Sequence, residues 1–314
     1  MTKPHLTLGT RGSALALHQA EMTETALSGR CDLTRQIIVT TGDQRTDIPL
    51  AQVAAAAGVV DKGVFIKELE LALLDQTIDF AVHSLKDVPT ILEPDFEICA
   101  VLPRAPTGDI LITNGPTLTE LPAGSTVGTS SVRRKLQLLR LRPDLNVIDI
   151  RGNVPTRLQK VAEQPDLHAT ILAQAGLQRL GYGQWHDRPG HDLTQIPIEN
   201  HTLTAQLLNP SEFLPAAGQG AVALEILKTN SKARDILTQI NHPETMARVT
   251  AERHFLALLQ AGCDTPVGIS STLTNDLIHL QTRVFANDGS LRQSSATDSS
   301  PVQAAQDLFD NLAS

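Results

Sequence analysis

Phe80-Ala-Val-His-Ser-Leu-Lys-Asp-Val-Pro89 is the stretch from which the fold of this chain is predicted. The apolar run 78–82 predicts a buried strand, and Pro89 ends regular structure soon after it. Lys86 and Asp87 therefore lie at the end of a strand. Because the carboxyl ends of strands border the ligand crevice in open α/β sheets, Asp87 is a candidate catalytic carboxylate. Taken alone, the stretch fits a solvated turn better, so the choice depends on the rest of the chain.

Composition limits the classes of protein to which the chain can belong. It has 314 residues, 41% of them hydrophobic, which is enough for two or three packed domains. The net charge of −8 argues against a nucleic-acid-binding protein. Apolar runs are short, and no signal-peptide pattern opens the sequence, so we expect a cytoplasmic protein that makes no membrane contact.

The three cysteines, Cys31, Cys99 and Cys263, are far apart in the sequence. They form no CxxC motif and no Cys/His ligand spacing, so the sequence predicts neither a disulfide framework nor a metal site. Cys263 follows a predicted helix in a loop with glycine and proline neighbours, which favours an accessible thiol.

Alternating strand and helix patterns predict an α/β fold with mainly parallel sheets and covering helices. We predict strands at 6–9, 36–40, 78–82, 98–102, 109–113, 126–128, 147–150, 170–172, 267–271 and 278–285. Helices are predicted at 14–27, 65–74, 131–141, 154–163, 176–180, 244–259 and 302–312. Crossings at 103–108 and 214–221 suggest a first lobe of 1–103 with about 216–240, a second of 104–215 and a C-terminal domain of 241–314.

The segment from Val127 to Arg157 is cationic within an acidic protein, with seven basic residues against two acidic ones. Arg133 and Arg134 lie in the first turn of a predicted helix, where cations oppose the helix dipole unless an anion is bound. Arg151 and Arg157 repeat the arrangement around the predicted cap Asn153. Several guanidinium groups at strand ends suit a ligand with many carboxylates or phosphates. No GxxxxGK[ST] or GxGxxG motif follows a strand, which weakens a nucleotide as that ligand.

Arg11 precedes Ser13, a predicted cap of the first helix, and together they form a second candidate anion-binding corner. A surface arginine beside a capped helix explains the pattern equally well.

Several of these motifs, in this order, resemble the porphobilinogen deaminase family. The resemblance is carried by Thr10–Ser13, Val82–Pro89, Val127–Arg134, Arg151–Asn153 with Thr156 and Arg157, Ala175–Arg179, Gly218–Gly220 and Gly262–Cys263. It implies two periplasmic-binding-protein-like lobes plus a smaller C-terminal domain. It also implies a monomeric transferase that condenses four porphobilinogen molecules into the linear tetrapyrrole hydroxymethylbilane, releasing ammonia, in tetrapyrrole (haem- or chlorophyll-type) biosynthesis.

The resemblance further implies a dipyrromethane cofactor, joined to Cys263 by a thioether, and Asp87 as the catalytic residue. The implied cofactor-binding residues are Cys263, Ser84, Lys86, Asp87, Thr129, Ser131, Arg133, Arg134 and Gly152. The implied substrate-binding residues are Arg11, Ser13, Gln19, Lys62, Phe65, Arg151, Arg157, Arg179 and Gln219.

The chain departs from the family in one loop. Where the family has Lys-Val-Gly-Gly-Lys-Gly-Leu-Phe, this sequence has a longer run from Gln52 to Phe65, in which Gln52 replaces a lysine. From its small residues and length, we predict a functional loop over 50–62, with slack surface chain as the alternative.

A second hypothesis, from another class, is a non-catalytic two-lobed anion-binding module. Cys263 and Asp87 distinguish the two hypotheses, because a binder of carboxylates needs neither an exposed thiol nor an anion in a cationic cleft.

Overall fold

The computed structural model describes residues 3–44, 64–185, 193–260, 265–286 and 290–313. Its strands are β1 His5–Thr10, β2 Asp32–Ile37, β3 Phe80–Ser84, β4 Phe96–Val101, β5 Asp109–Thr113, β6 Thr126–Gly128, β7 Asn146–Ile148, β8 Ala169–Ala173, β9 Leu193–Ile198, β10 His201–Leu207, β11 Val222–Leu227, β12 Val267–Thr274, β13 Leu277–Phe285 and β14 Leu291–Asp298. Its helices are α1 Ala14–Leu27, α2 Thr41–Gln44, α3 Lys67–Leu74, α4 Val132–Leu141, α5 Val154–Glu163, α6 Gln174–Arg179, α7 Ser231–Leu237, α8 Pro243–Leu258 and α9 Pro301–Ala313. Short 3₁₀ turns occur at Leu85–Asp87 and Thr238–Ile240.

The first sheet has the strand order β2-β1-β3-β11-β4. Strands β2, β1 and β3 are parallel, and β11 is antiparallel to both of its neighbours, so four of the five strands run in one direction. Phe80 and Val82 of β3 pack in the cluster that includes α1 and α7, while Ala81 packs with α3. Burial on both faces explains why β3 reads as a continuous apolar run rather than an alternating one.

The second sheet has the order β7-β6-β8-β5-β10-β9. Strands β7, β6 and β8 are parallel, and the three pairings from β8 to β9 are antiparallel, so four of the six strands share one direction. Leu138 of α4 packs against one face of this sheet, and Leu158 of α5 packs against the other.

The third sheet, β12-β13-β14, is antiparallel and belongs to the C-terminal part of the chain. Helices α8 and α9 supply Phe255 and Leu308 to a core with Ile269 and Leu280. The predicted α/β fold, with two lobes of mainly parallel sheets and a smaller C-terminal domain, is confirmed.

Two crossings connect the first sheet to the second, and they lie side by side. The Ala105 amide in the outward crossing donates to the Gly220 carbonyl in the return crossing at 3.2 Å. Across the cleft between the lobes, a Cβ at Gly176 of α6 would lie 3.7 Å from Leu15 of α1.

Some local predictions were wrong or incomplete. The predicted strand 36–40 lies earlier, at Asp32–Ile37, because Thr40 and Asp43 instead form the hydrogen-bonded start of α2. The hairpin β9–β10, strands β11 and β14 and helix α7 were not predicted. In the described ranges, no helix is both long enough and apolar enough to cross a membrane.

Candidate active site

Asp87 lies on the turn that follows the central strand β3, which we call the β3 turn, residues 85–90. Leu85 and Val88 are buried, whereas Lys86 and Asp87 are half-buried between them. The two apolar side chains fix the turn against the core, so the polar pair faces outward at the carboxyl end of β3. This is the position in the fold that the sequence predicted for Asp87.

Gly218 of the return crossing packs directly against the β3 turn. Its φ of +70° is in the left-handed region, and a Cβ there would lie 3.0 Å from Leu85 Cγ and 3.1 Å from the Lys86 amide nitrogen. A side chain at position 218 would therefore strain the backbone and push on the turn that carries Asp87.

Ser84, the last residue of β3, is held by helix α1. Gln19 Nε2 donates to Ser84 Oγ at 2.8 Å, and Ser84 Oγ lies 3.2 Å from Gln19 Oε1. Gln19 is 2% exposed. Gln19 of α1 and Ser84 of β3, both predicted to bind ligands, are thus hydrogen-bonded to each other.

Arg157 of α5 brings the second lobe's positive charge close to Asp87. Burial, followed by repulsion from Arg134 and Arg151, lowers the pKa of Arg157 to about 10, while attraction by Asp87 acts in the opposite direction. Arg157 Nε also donates to the Gly152 carbonyl at 2.8 Å. Two other guanidinium groups of the same lobe and one carboxylate across the cleft therefore act on Arg157, an excess of positive charge that favours an anionic ligand.

Arg133 and Arg134 are buried, each 6% exposed, and both contact Asp109 at the start of β5. Arg133 Nη1 donates to Asp109 Oδ2 at 2.8 Å, and Arg134 Nη2 donates to Oδ1 at 2.7 Å. Although burial opposes ionisation of this carboxyl, the two arginines lower its pKa well below the usual range. The anion at the start of α4 is therefore a side chain of the protein itself, so the opposed helix dipole does not by itself require an external ligand.

Arg11 is also held by an internal carboxylate. Its guanidinium forms a bidentate pair with Asp43 and lies over the Phe65 ring, 4.2 Å from the ring centroid. Burial works against the charge of Asp43, but hydrogen bonds from Arg11 and Thr40 lower its pKa. Arg11 and Phe65, both predicted substrate-binding residues, thus lie in contact.

Arg179 and Gln219 each have a buried polar atom without a hydrogen-bond partner, Nε of Arg179 and Oε1 of Gln219. Arg179 Nη2 donates to the Gly220 carbonyl at 2.7 Å, and Gln219 Nε2 donates to Asp109 Oδ1 at 3.0 Å. Burial lowers the pKa of Arg179 to about 10. Both side chains are fixed at the crossings with hydrogen-bonding capacity that the described residues leave unused.

The remaining predicted residues lie at helix starts of the two lobes. Ser13 caps α1, and Ser131 caps α4 beside Thr129, whose Oγ1 lies 3.3 Å from the Ser131 amide. Gly152 precedes the α5 cap with φ of +116°, and a Cβ there would lie 2.7 Å from Thr156 Cγ2. Free N–H groups at helix starts suit acidic ligand groups.

Cys263, Lys62 and the predicted loop 50–62 lie outside the described residues. The other two thiols are poor nucleophiles. Burial, followed by Asp32, raises the pKa of Cys31. Burial, followed by Glu97, raises the pKa of Cys99 to about 12. Because the thiolate is the reactive form, neither suits covalent attachment at neutral pH.

Behind the β3 turn lies a buried acid–base cluster that the sequence did not reveal. His83 Nε2 contacts Glu225 Oε2 of β11 at 2.8 Å, and both side chains are buried. Burial, followed by repulsion from Glu225, raises the pKa of Glu70 to about 7, with a smaller effect of Glu93 in the same direction and of His83 in the opposite one.

We expect Glu70→Gln to raise the free energy of unfolding more at pH 8 than at pH 5. A carboxyl whose pKa is raised from 4.5 to about 7 by folding contributes stability that is complete below 4.5 and is lost as the pH rises through 7. Glutamine cannot ionise, so the variant does not lose this stability at high pH. Urea unfolding of wild type and variant at pH 5 and pH 8 measures the two free energies of unfolding. The same difference between the proteins at both pH values would contradict the assignment.

Two functional candidates were missed by sequence reasoning, Asp109 and Asp43. Asp109 is the first residue of β5, Asp43 lies in α2, and each pairs with arginines that were predicted. A search for acidic residues able to neutralise the predicted arginines could have found both.

Two family models match this chain. "Porphobilinogen deaminase, dipyromethane cofactor binding domain" matches residues 6–235, and "Porphobilinogen deaminase, C-terminal domain" matches residues 246–314. The first match includes all the predicted site residues except Cys263.

Curated relatives agree with these matches. Porphobilinogen deaminase of Syntrophobacter fumaroxidans is 39% identical over 310 residues, covering 97% of this chain and 92% of the relative. The Listeria monocytogenes enzyme of the same name is 39% identical over 317 residues, covering 99% and 96%. That of Nitratidesulfovibrio vulgaris is 43% identical over 277 residues, covering 87% and 80%.

Among solved structures, a probable amino-acid ABC transporter extracellular-binding protein from Bacillus subtilis is 9% identical, with a TM-score of 0.40. It covers 76% of this chain and 90% of the transporter protein, and the likeness is too distant to bear on function. The family matches, which together span most of the sequence, and relatives at about 40% identity over nearly its whole length lead to one conclusion: the chain belongs to the porphobilinogen deaminase family.

Proposed function

We propose that this chain performs the reaction of its family in the cleft between its lobes. It is a transferase, hydroxymethylbilane synthase, that condenses four porphobilinogen molecules into a linear tetrapyrrole and releases ammonia. The observation that carries the assignment to this cleft is the half-buried Asp87 carboxylate, which attracts Arg157, itself repelled by Arg134 and Arg151. The family match does not favour the non-catalytic binding module.

The residues of the cleft fit a dipyrromethane bearing several carboxylates. The unpartnered Arg179 Nε and the excess of guanidinium groups suit acidic groups, and the unpartnered Gln219 Oε1 suits a pyrrole N–H. We assign cofactor binding to Ser84, Lys86, Asp87, Thr129, Ser131, Arg133, Arg134 and Gly152, and its covalent attachment to Cys263. When bound, this group supplies the pyrrole position that the incoming substrate joins.

Arg133 and Arg134 each use part of their guanidinium group to bind Asp109, and this contact fixes the orientation of the whole group. Arg133 Nη1 also donates to the Leu214 carbonyl at 2.5 Å, and Arg134 Nη1 donates to the Ile171 carbonyl at 2.8 Å. We infer that these two residues position acidic groups in a rigid frame that needs little reorganisation on binding.

Asp87 has the charge and position to stabilise positive charge on a reacting pyrrole. Loss of ammonia from the protonated aminomethyl group of porphobilinogen leaves an electron-poor cation, and a fixed carboxylate beside the pyrrole N–H stabilises it. The same carboxylate can accept the proton that the attacking pyrrole carbon releases once the new carbon–carbon bond has formed. The half-buried site limits screening by water, so this single negative group acts strongly.

The arginines that surround Asp87 have a separate task. Each porphobilinogen carries an acetate and a propionate, and these groups would repel Asp87 unless they were neutralised. We assign substrate binding to Arg11, Ser13, Gln19, Lys62, Phe65, Arg151, Arg157, Arg179 and Gln219. Pairing of carboxylates with guanidinium groups allows several acids to enter a partly dry cleft.

We further propose that the enzyme is a cytoplasmic monomer without nucleic-acid or membrane partners. The net charge of −8 argues against a nucleic-acid partner. We also propose that the domains meet at about residues 103, 215 and 240.

Incubation of the purified protein with porphobilinogen tests the function. We expect four ammonia molecules to be released for each linear tetrapyrrole formed. Binding of porphobilinogen without ammonia release would instead support the non-catalytic module.

We expect Arg179→Ala to raise KM for porphobilinogen by about 10-fold to 100-fold, because a charge-assisted hydrogen bond contributes about 1.5–3 kcal/mol. Initial rates of ammonia release measure the change. Arg30→Ala, on the surface at the end of α1, is the control and should leave KM unchanged. An Arg179→Ala enzyme with the KM of wild type would remove Arg179 from the site.

A further inference from the structure

Helix α8 of the C-terminal domain packs Val249 in one apolar cluster with Leu85 and Val88 of the β3 turn, and its Arg253 makes hydrogen bonds to the same turn. Its Nη1 lies 3.3 Å from the Val88 carbonyl, and its Nη2 donates to the carbonyls of Pro89 at 2.6 Å and Thr90 at 3.0 Å. These three carbonyls immediately follow Asp87 in the sequence. A single guanidinium group therefore binds three consecutive peptide units of the turn that carries the catalytic carboxylate.

The surroundings of Arg253 strengthen its hydrogen bonds to the carbonyls of the β3 turn. Burial lowers its pKa, and Glu225 of the acid–base cluster acts in the opposite direction. A partly desolvated guanidinium group makes stronger hydrogen bonds to carbonyls than an exposed one does. A lysine could keep the charge, but it lacks the planar fork that reaches several acceptors at once.

The residue before Arg253 makes the neighbouring contact with the crossings. Glu252 is fully buried, accepts from Arg104 Nη1 at 2.6 Å, and accepts from the Gly218 amide at 2.7 Å. Gly218 packs against the first residues of the β3 turn, Leu85 and Lys86, whereas Arg253 binds its last three carbonyls. Two consecutive residues of α8 thus fix both ends of the β3 turn, one directly and one through the return crossing.

We propose that Arg253 is a positioning residue, which sets the place of Asp87 relative to the C-terminal domain by holding the carbonyls of residues 88–90. The proposal rests on the proposed role of Asp87. A small displacement of a reacting group slows a reaction strongly. Loss of these hydrogen bonds should therefore lower the rate of the chemical step more than it weakens substrate binding.

Helix α8 offers a matched control. Arg248, five positions earlier, donates through Nη2 to the Ser271 carbonyl at 2.7 Å and through Nη1 to Glu244 at 3.2 Å. It is half-buried like Arg253, but its hydrogen bonds stay within the C-terminal domain. Arg248→Met and Arg253→Met therefore remove similar hydrogen bonds, but those of Arg248 go to the C-terminal domain and those of Arg253 go to the β3 turn.

The test compares Arg253→Met and Arg253→Lys with Arg248→Met and Arg248→Lys. We expect both Arg253 variants to lower kcat, the methionine variant by about 10-fold to 100-fold, with KM within about twofold of wild type. The Arg248 variants should keep the kcat of wild type. Intact mass should show the same covalent loading in all four. If Arg253→Met does not fold, Arg253→Lys gives the same comparison.

Hydrogen exchange gives a second readout, which needs no enzymatic activity. Amides of residues 85–91 should exchange faster in the Arg253 variants and at the wild-type rate in the Arg248 variants. Unchanged exchange there, or equal losses of kcat in both pairs of variants, would overturn the proposal. If the wild-type protein is itself inactive, the proposed function is refuted. The role of Arg253 is then decided by the hydrogen-exchange comparison alone.

Discussion

Asp87→Asn is expected to lower kcat by about 1,000-fold while the protein still folds and carries its covalent group. Asparagine has nearly the same shape but no charge, so it removes electrostatic stabilisation and proton acceptance together, effects that contribute about 100-fold to 10,000-fold in enzymes. The surrounding arginines would then face the reacting cation without an opposing charge. This excess of positive charge should deepen the loss.

Initial rates of ammonia release, with intact mass and urea unfolding on the same samples, check this expectation. Asp235→Asn, an exposed aspartate on α7, is the control and should keep the wild-type rate. A kcat for Asp87→Asn within about tenfold of wild type would contradict a catalytic role for Asp87. Loss of the covalent group in this variant would show that Asp87 acts in assembly.

Asp109→Asn should be among the most damaging changes to the second lobe. Two buried arginines and Gln219 Nε2 converge on this carboxylate, and removing one partner of a buried ion pair costs about 3–5 kcal/mol. Arg133 and Arg134 would also lose their orientation. We therefore expect a lower free energy of unfolding and, in whatever protein folds, incomplete covalent loading.

The control for Asp109 is Asp144→Asn, which removes an exposed bidentate pair with Arg142. Exposed pairs contribute only about 0–1 kcal/mol, so the two substitutions should differ by several-fold in their effect. Because folding lowers the pKa of Asp109 below 3.8, its contribution is present above that pH and is lost only as the pH falls through the folded value. The difference between wild type and Asp109→Asn should thus be constant between about pH 5 and pH 8.

Local signals explain most of what the sequence predicted. Ser13 and Asn153 were predicted as helix caps, and both accept hydrogen bonds from backbone amides in the first turn. Strands β5 and β6 and helix α5 have the predicted bounds. In these places propensity, capping and apolar period agree, so no distant contact is needed to specify the element.

Strand β11 shows where local reasoning fails. It pairs with β3 and β4, which lie more than 100 residues earlier, and it carries the buried Glu225, whose partner is His83. A charged residue in a short apolar run gives no sign of a central strand. Only the long-range partner makes its burial tolerable.

The arginine clusters show a second limit, which concerns the site. The sequence predicted that cations at the start of α4 need an anion, but it could not tell an internal carboxylate from a ligand. Asp109 and Asp43 lie 24 positions before Arg133 and 32 positions after Arg11. The same electrostatic requirement is therefore met partly by the fold, and the unpartnered Arg179 Nε indicates what is left for a ligand.

The central claim is that a dipyrromethane joined to Cys263 lies opposite Asp87. Intact mass of the purified protein, before and after incubation with porphobilinogen, tests it most directly. We predict a mass above the 33.8 kDa of the sequence by one dipyrrole, further increments on incubation, and neither in Cys263→Ala. A catalytically active protein with the mass of the bare chain, or Cys263→Ala with the full increment, would contradict the account.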